Sequence, residues 1–232
     1  APTFSGDGFS TTLSVIDSSA NGYGMWATVT RPMNVMSNGN MLVVYRQYAG
    51  ENTTHGQLGA GYGVVPSTEG DPIDWGVQYN VNYNGNPPWG GGGVGGCGCA
   101  QARYPSSLAS EEYPYAIYNE YTGGPPTCPS WPPECSDYGG RPYFSYDEFG
   151  WGGESWLYPV DLDPLYDCSK DLWQGSVGYG YAGFEDVHHV SVVYDDWTRG
   201  GSYLFTSEAV EDGYIVLGTE NLIVNPQHQG TE

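Results

Sequence analysis

Along most of this chain, apolar or aromatic residues alternate with polar ones, and clusters of Gly, Asn, Asp or Pro break the alternation at short intervals. A period of two is the mark of strands with one face buried. No helical period longer than a turn is present. One nine-residue theme returns three times: MLVVYRQYA at Met41 to Ala49, YAIYNEYTG at Tyr115 to Gly123, and VSVVYDDWT at Val190 to Thr198. Its central tyrosines, Tyr45, Tyr118 and Tyr194, are spaced by 73 and 76 residues, so the 232 residues hold about three units.

Each unit has the same grammar. An extended run precedes the theme at 28–36, 101–109 and 176–184. A second follows it at 57–65, 141–149 and 202–210, and a third at 75–82, 155–163 and 214–224. The expected fold is therefore all-β, with three four-stranded antiparallel blade-like repeats at about residues 23–82, 101–163 and 176–224 of a single repeat domain spanning 1–232. Closed β-propellers need about four to eight such blades, so three units imply a partial propeller or an open array with unpaired edges. Unpaired edges recruit partners, and self-association is expected.

Composition sharpens this picture. The 36 Gly and 17 Pro disfavour helices, whereas 21 Tyr and 8 Trp suit a pleated surface. Six basic residues face 27 acidic ones, a formal net charge of −21. So few cations cannot build the basic face that nucleic acid requires, and an anionic membrane surface is excluded for the same reason. What remains is a cationic partner, divalent metal ions, or a high-salt medium that screens the self-repulsion. No apolar run approaches the length needed to span a bilayer. The opening Ala1-Pro2-Thr3 is expected to be a mature terminus with the signal peptide removed, and the five cysteines fit an extracellular or cell-surface setting.

Cys128 and Cys135 bracket a proline-rich loop and are expected to form a disulfide. Cys97 and Cys99 are too close for an unstrained bond; one of them could reach Cys168. His188 and His189, adjacent on a strand, are expected to point to opposite faces and not to share a metal.

Motifs for nucleotide, zinc-protease or serine-elbow chemistry are absent. Glu120, Asp147, Glu148, Asp195 and Asp196 fall at strand ends beside turns, where carboxylates bond turn amides. Two of them facing across a cleft would instead suit glycoside hydrolysis. The aspartates at 161, 163 and 167 invite a loose calcium site, although Tyr166 and Leu172 stand where an EF-hand loop needs Gly and Glu. No other cofactor is expected.

The run Arg103-Tyr104-Pro105, followed by YPYAIYNEY and GGRPYFSYDEFGWGGESW, resembles blades of sialidase-like β-propellers, in particular those of large secreted bacterial surface proteins of the type IX secretion kind. Arg103-Tyr104-Pro105 is similar to the sialidase Arg-Ile-Pro motif. Ser145-Tyr146-Asp147 with Gly150 and Trp156 is similar to an expanded, degenerate Asp box. The resemblance covers residues 23–224. Sialidases bind the substrate carboxylate with three arginines, whereas this chain offers Arg103, a poorer match at Arg31, and Tyr179-Gly180-Tyr181 in the third unit. The expectation is therefore a secreted structural or binding protein that self-associates as a fibre, surface-layer or matrix component, with no catalytic set. The alternative is a glycan-binding or sialidase-like glycoside hydrolase propeller using Arg31, Arg103, Glu120 and Asp147.

Overall fold

The computed structural model describes residues 3–6, 9–19, 30–48, 57–79, 81–82, 102–122, 139–153, 155–157, 159–164, 170–181 and 187–224. All five cysteines lie outside these residues, and with them the Cys128–Cys135 pairing; so does Asp167. The chain is all-β with antiparallel sheets, and a single 3-10 turn at Gly150–Gly152 is the only helical element among the described residues.

A short hairpin, β1 (Thr3–Gly6) and β2 (Phe9–Thr12), comes first. The first large sheet joins β3 (Met33–Val35), β4 (Asn40–Arg46), β5 (Leu58–Val64) and β6 (Trp75–Gln78) in sequence order. A second joins β7 (Arg103–Ala109), β8 (Pro114–Thr122), β9 (Gly139–Tyr146) and β10 (Val160–Asp161) in the same way. The third contains β11 (Leu172–Tyr181), β12 (His188–Asp196), β13 (Ser202–Thr206), β14 (Ala209–Glu211), β15 (Tyr214–Val216) and β16 (Thr219–Val224).

The third sheet corrects the expectation of four strands per unit. Its order is β15-β14-β12-β13-β16, with β11 on the other side of β12. Thr206 pairs with Thr219 and Ala209 with Val216, so β13–β14 and β15–β16 share one register. They are one long hairpin whose two arms are each interrupted, at Ser207–Glu208 and at Leu217–Gly218. The hairpin closes through Asp212-Gly213, both at positive φ (47° and 86°), the two-residue turn that fits the twist of antiparallel strands.

The three sheets pack face to face, with the second in the middle. Leu42, Val44, Leu58 and Ala60 of the first meet Ala116, Tyr118 and Tyr143 of the second. On its other face Leu108, Tyr115, Ile117 and Phe144 meet Leu172, Val190, Val192, Tyr194 and Phe205 of the third. The period-two geometry of β8 sends Tyr115 and Ile117 one way, Ala116 and Tyr118 the other, and all four are buried. The far face of the first sheet is covered by residues before β3. Tyr45 donates to Asp17 (2.7 Å), Ile73 N–H donates to Ser14 Oγ (2.9 Å), and Ser19 bridges Gln47.

The three thematic tyrosines occupy matching places. Tyr118 faces the first sheet, Tyr194 faces the second, and Tyr45 faces the covering segment. Each therefore points backward through the stack, and each hydroxyl is bonded: Tyr45 to Asp17, Tyr118 to Ser145 (2.8 Å) and Tyr194 to Glu220. Gly59, paired with Tyr45, leaves room for the ring; a Cβ there would lie 2.7 Å from the ring.

Buried polar side chains join the sheets. Ser107 Oγ accepts from Val44 N–H (2.8 Å) and donates to Pro32 C=O (3.0 Å). On the other side Asn119 donates to Leu172 C=O (2.6 Å) and accepts from Gln174 N–H (2.9 Å), standing in for a strand partner. Buried amides must find such acceptors.

Candidate functional site

The buried charges of this chain are paired with one another. Arg141 on β9 donates through Nε to Asp161 (2.5 Å) and through Nη2 to Asp163 (2.9 Å), while Lys170 Nζ holds the other oxygen of Asp163 (3.0 Å). All four side chains are buried. Burial works against the Arg141 charge but is outweighed by the two carboxylates, so its pKa is raised. Burial likewise pushes the Asp161 carboxyl above its usual range, against the pull of Arg141. The two described aspartates of the suggested calcium site thus already hold protein cations, which a metal ion would have to displace. Among the described residues no cluster of three or more His, Cys, Asp or Glu is placed to hold a metal.

Asp147 behaves as a turn-builder. Oδ1 accepts from Phe149 N–H (3.0 Å) and Ser155 N–H (3.4 Å), and Oδ2 accepts from Tyr62 of the first sheet (3.0 Å). It pairs across the loop with buried Trp156, and Tyr62 rests against Trp151 and Trp156. The Ser145 to Trp156 motif is therefore a hairpin loop pinned to the neighbouring sheet. Burial, with Asp147 behind it, drives the Tyr62 pKa upward. Asp196 acts in the same way, accepting from Thr198 N–H (2.8 Å) and Arg199 N–H (3.0 Å).

The residues of the glycosidase alternative are not gathered. Arg103 pairs with Asn119, which pairs with Pro142; Asp147 follows the far end of β9. Five residues of strand separate that row from Asp147, roughly 16 Å at about 3.3 Å per residue. Arg31 is exposed, and its backbone is bonded to Ser106 and Ser107 in the middle of β7. Glu120 pairs its backbone with Arg141, near Arg103 and away from Asp147.

Sequence reasoning missed the cleft that the sheets do form. Where the turn after β3, the β7–β8 turn, the β11–β12 strands and the β14–β15 turn converge, a cavity of about 520 Å³ opens. Its walls include the rings of Tyr113, Tyr115, Tyr179 and His188, with Glu111, Glu112 and Asp212 at the mouth. Tyr179 stacks on His188 with centroids 4.9 Å apart and planes nearly parallel, and Tyr115 lies 5.3 Å from Tyr179. The carboxylate of Glu111 accepts from the Ser37 hydroxyl, and its C=O accepts from Asn38 (3.4 Å), tying the first sheet to the second at the rim. Among the described residues no Lys or Arg lines the cleft. The Glu111-Glu112 doublet and the Asp212-Gly213 turn were the available signals, but only the fold brings them together. His189 points elsewhere, bonding the Ser207 carbonyl (2.8 Å), so the adjacent histidines serve different surroundings as expected. Among the turn tryptophans, Trp197 is exposed and Trp151 is half-buried, its N–H bonded to Ser110 C=O. Trp89 and Trp131 lie outside the described residues.

Compared with protein-family models and with curated proteins, the chain matches none. Among the described residues no helix is long and apolar enough to cross a membrane.

Proposed function

We propose that this chain is a non-catalytic structural or binding component of the cell exterior, built of blade-like units in a partial propeller or open array, that acts by associating with further copies of itself. The observation that carries this reading is that the buried charges bind one another and the candidate catalytic groups are not gathered. Arg141, Asp161, Asp163 and Lys170 bind one another, Asp147 and Asp196 build turns, and Arg103 stands far from Asp147. Apolar surface meanwhile remains open on the third sheet, where Tyr214, Leu222 and Ile223 are exposed. Secretion, with the signal peptide removed, and disulfide bonding belong to the same reading.

Association between chains of net charge −21 requires screening or bridging cations. Light scattering of the purified protein with salt, with calcium and with a chelator tests this. Mass that grows with salt or calcium, beside no turnover on a panel of glycosides, is the expected result. A stable monomer that cleaves a glycoside and loses that activity with Arg103→Ala would overturn it.

A second reading has its own observation. The aromatic walls and acidic mouth of the cleft suit stacking on sugar faces and hydrogen bonding to hydroxyls. With no Lys or Arg in its lining, the cleft fits neutral sugars better than sialosides. Calorimetry with neutral oligosaccharides, compared between the native chain and Tyr179→Ala, checks it: binding that the substitution abolishes supports a glycan-binding role.

A further inference from the structure

The last strands of the three sheets differ sharply. β6 has four residues and β10 two, whereas β15–β16 presents an edge from Tyr214 to Val224, interrupted only at Leu217–Gly218. Among the described residues this edge pairs with nothing on its outer side. Folded proteins keep such edges short, or guard them with Lys, Pro or inward charges. Here the sequence YIVLGTENLIV carries neither Lys nor Pro. Ile223, unpaired at a register slip opposite Ser202–Tyr203, is the one irregularity of β16.

The edge is also apolar and electrically neutral. Tyr214, Leu222 and Ile223 are 61%, 54% and 49% exposed, and Val216 and Leu217 are exposed beside them. Its one charged residue is Glu220, whose carboxylate accepts from Arg199 Nη2 (3.0 Å) and from the Tyr194 hydroxyl. In a chain of net charge −21 this strip can approach a copy of itself without bringing like charges together.

We propose that the β15–β16 edge pairs antiparallel with the same edge of a second copy, extending the third sheet across a two-fold axis. A symmetric strand pair satisfies the outward N–H and C=O groups of both copies at once and buries the same apolar side chains on each. The proposal rests on the self-association reading and names its contact.

The test is sedimentation of the full chain over a range of concentrations, with the double variant Leu222→Lys/Ile223→Lys and, as control, Phe149→Lys at an exposed apolar site in the loop after β9. Both changed sites on the edge are exposed, so the monomer fold is expected to persist, and an unchanged thermal midpoint and circular dichroism spectrum verify it. The native chain and the Phe149→Lys control are expected to dimerise alike, and the edge variant to show a dissociation constant higher by about tenfold or more. A native dimer untouched by the edge variant overturns this contact and leaves self-association standing. A native chain that stays monomeric at every concentration and salt overturns both.

Discussion

The second and third sheets carry the same strand theme in opposite circumstances. In β8 every described side chain from Pro114 to Asn119 is buried, because sheets lie against both of its faces. In β12 burial alternates strictly: Val190, Val192, Tyr194 and Asp196 are buried, while Ser191, Val193 and Asp195 between them are partly open. The polar pattern alone does not announce this difference, since Asn119 sits in the fully buried strand. There its amide is enclosed by bonds to Leu172 and Gln174. Position in the stack, more than local composition, decides how much of each repeat reaches water.

Charge obeys the same contrast, which gives the sharpest way to break it. Removing Arg141 from the second sheet strands the buried Asp161 carboxylate and leaves Asp163 to Lys170 alone, a situation that costs about 3–5 kcal/mol. Arg199 on the third sheet pairs with Asp196 and Glu220 but keeps a third of its side chain exposed, and exposed pairs contribute about 1 kcal/mol or less. Chemical denaturation is therefore expected to show Arg141→Ala far less stable than Arg199→Ala. Equal losses would mean that the buried network is not holding the middle sheet.

A smaller difference is expected from apolar truncation. Ile117→Ala empties a site enclosed by the second and third sheets and is expected to lose about 2–5 kcal/mol. Val193→Ala, on the open face of the third sheet, is expected to lose about 1 kcal/mol. Urea titrations of the two variants compare them directly, and a Val193 loss matching that of Ile117 would show that the outer face is covered in solution.

Alkali tests both interfaces together. Burial raises the pKa of Tyr45, Tyr62, Tyr115 and Tyr194 above the ordinary 10.0. The unfolded chain then gives up these protons first, so the stability they contribute is present below pH 10.0 and is lost as pH rises beyond it. Tyrosinate absorbance should appear in step with unfolding; smooth ionisation of all tyrosines in the folded protein would contradict it. The smallest effect is expected at the rim, where Ile223→Ser alone should change folding stability by about 0.5 kcal/mol or less.

Much of the fold was legible because alternation and turn residues are local. The runs that begin at Met41, Tyr115 and Val190 supply β4, β8 and β12, and even the Asp212-Gly213 hairpin follows from its residue types. The β1–β2 hairpin was missed, although Asp7-Gly8 between alternating runs was its signal. The break of the third sheet at Ser207–Glu208 was missed too, because an interruption within one register leaves the periodicity on either side intact. For the site, Asp147 and Asp196 were legible as turn formers, since each bonds amides two or three residues away. The pairing of Asp161 and Asp163 with Arg141 and Lys170 was not. Aspartates at 161, 163 and 167 look like a cation site, and only the strand register brings Arg141 to the first two.

Backbone hydrogen exchange, followed residue by residue across protein concentration, tests the central claim most directly. If function lies in assembly through the third sheet, amides of 214–224 should exchange quickly in dilute solution and slow as concentration rises, while those of 115–119 stay slow throughout. Exchange at 214–224 that remains fast and independent of concentration, in salt as well as without it, would contradict the account.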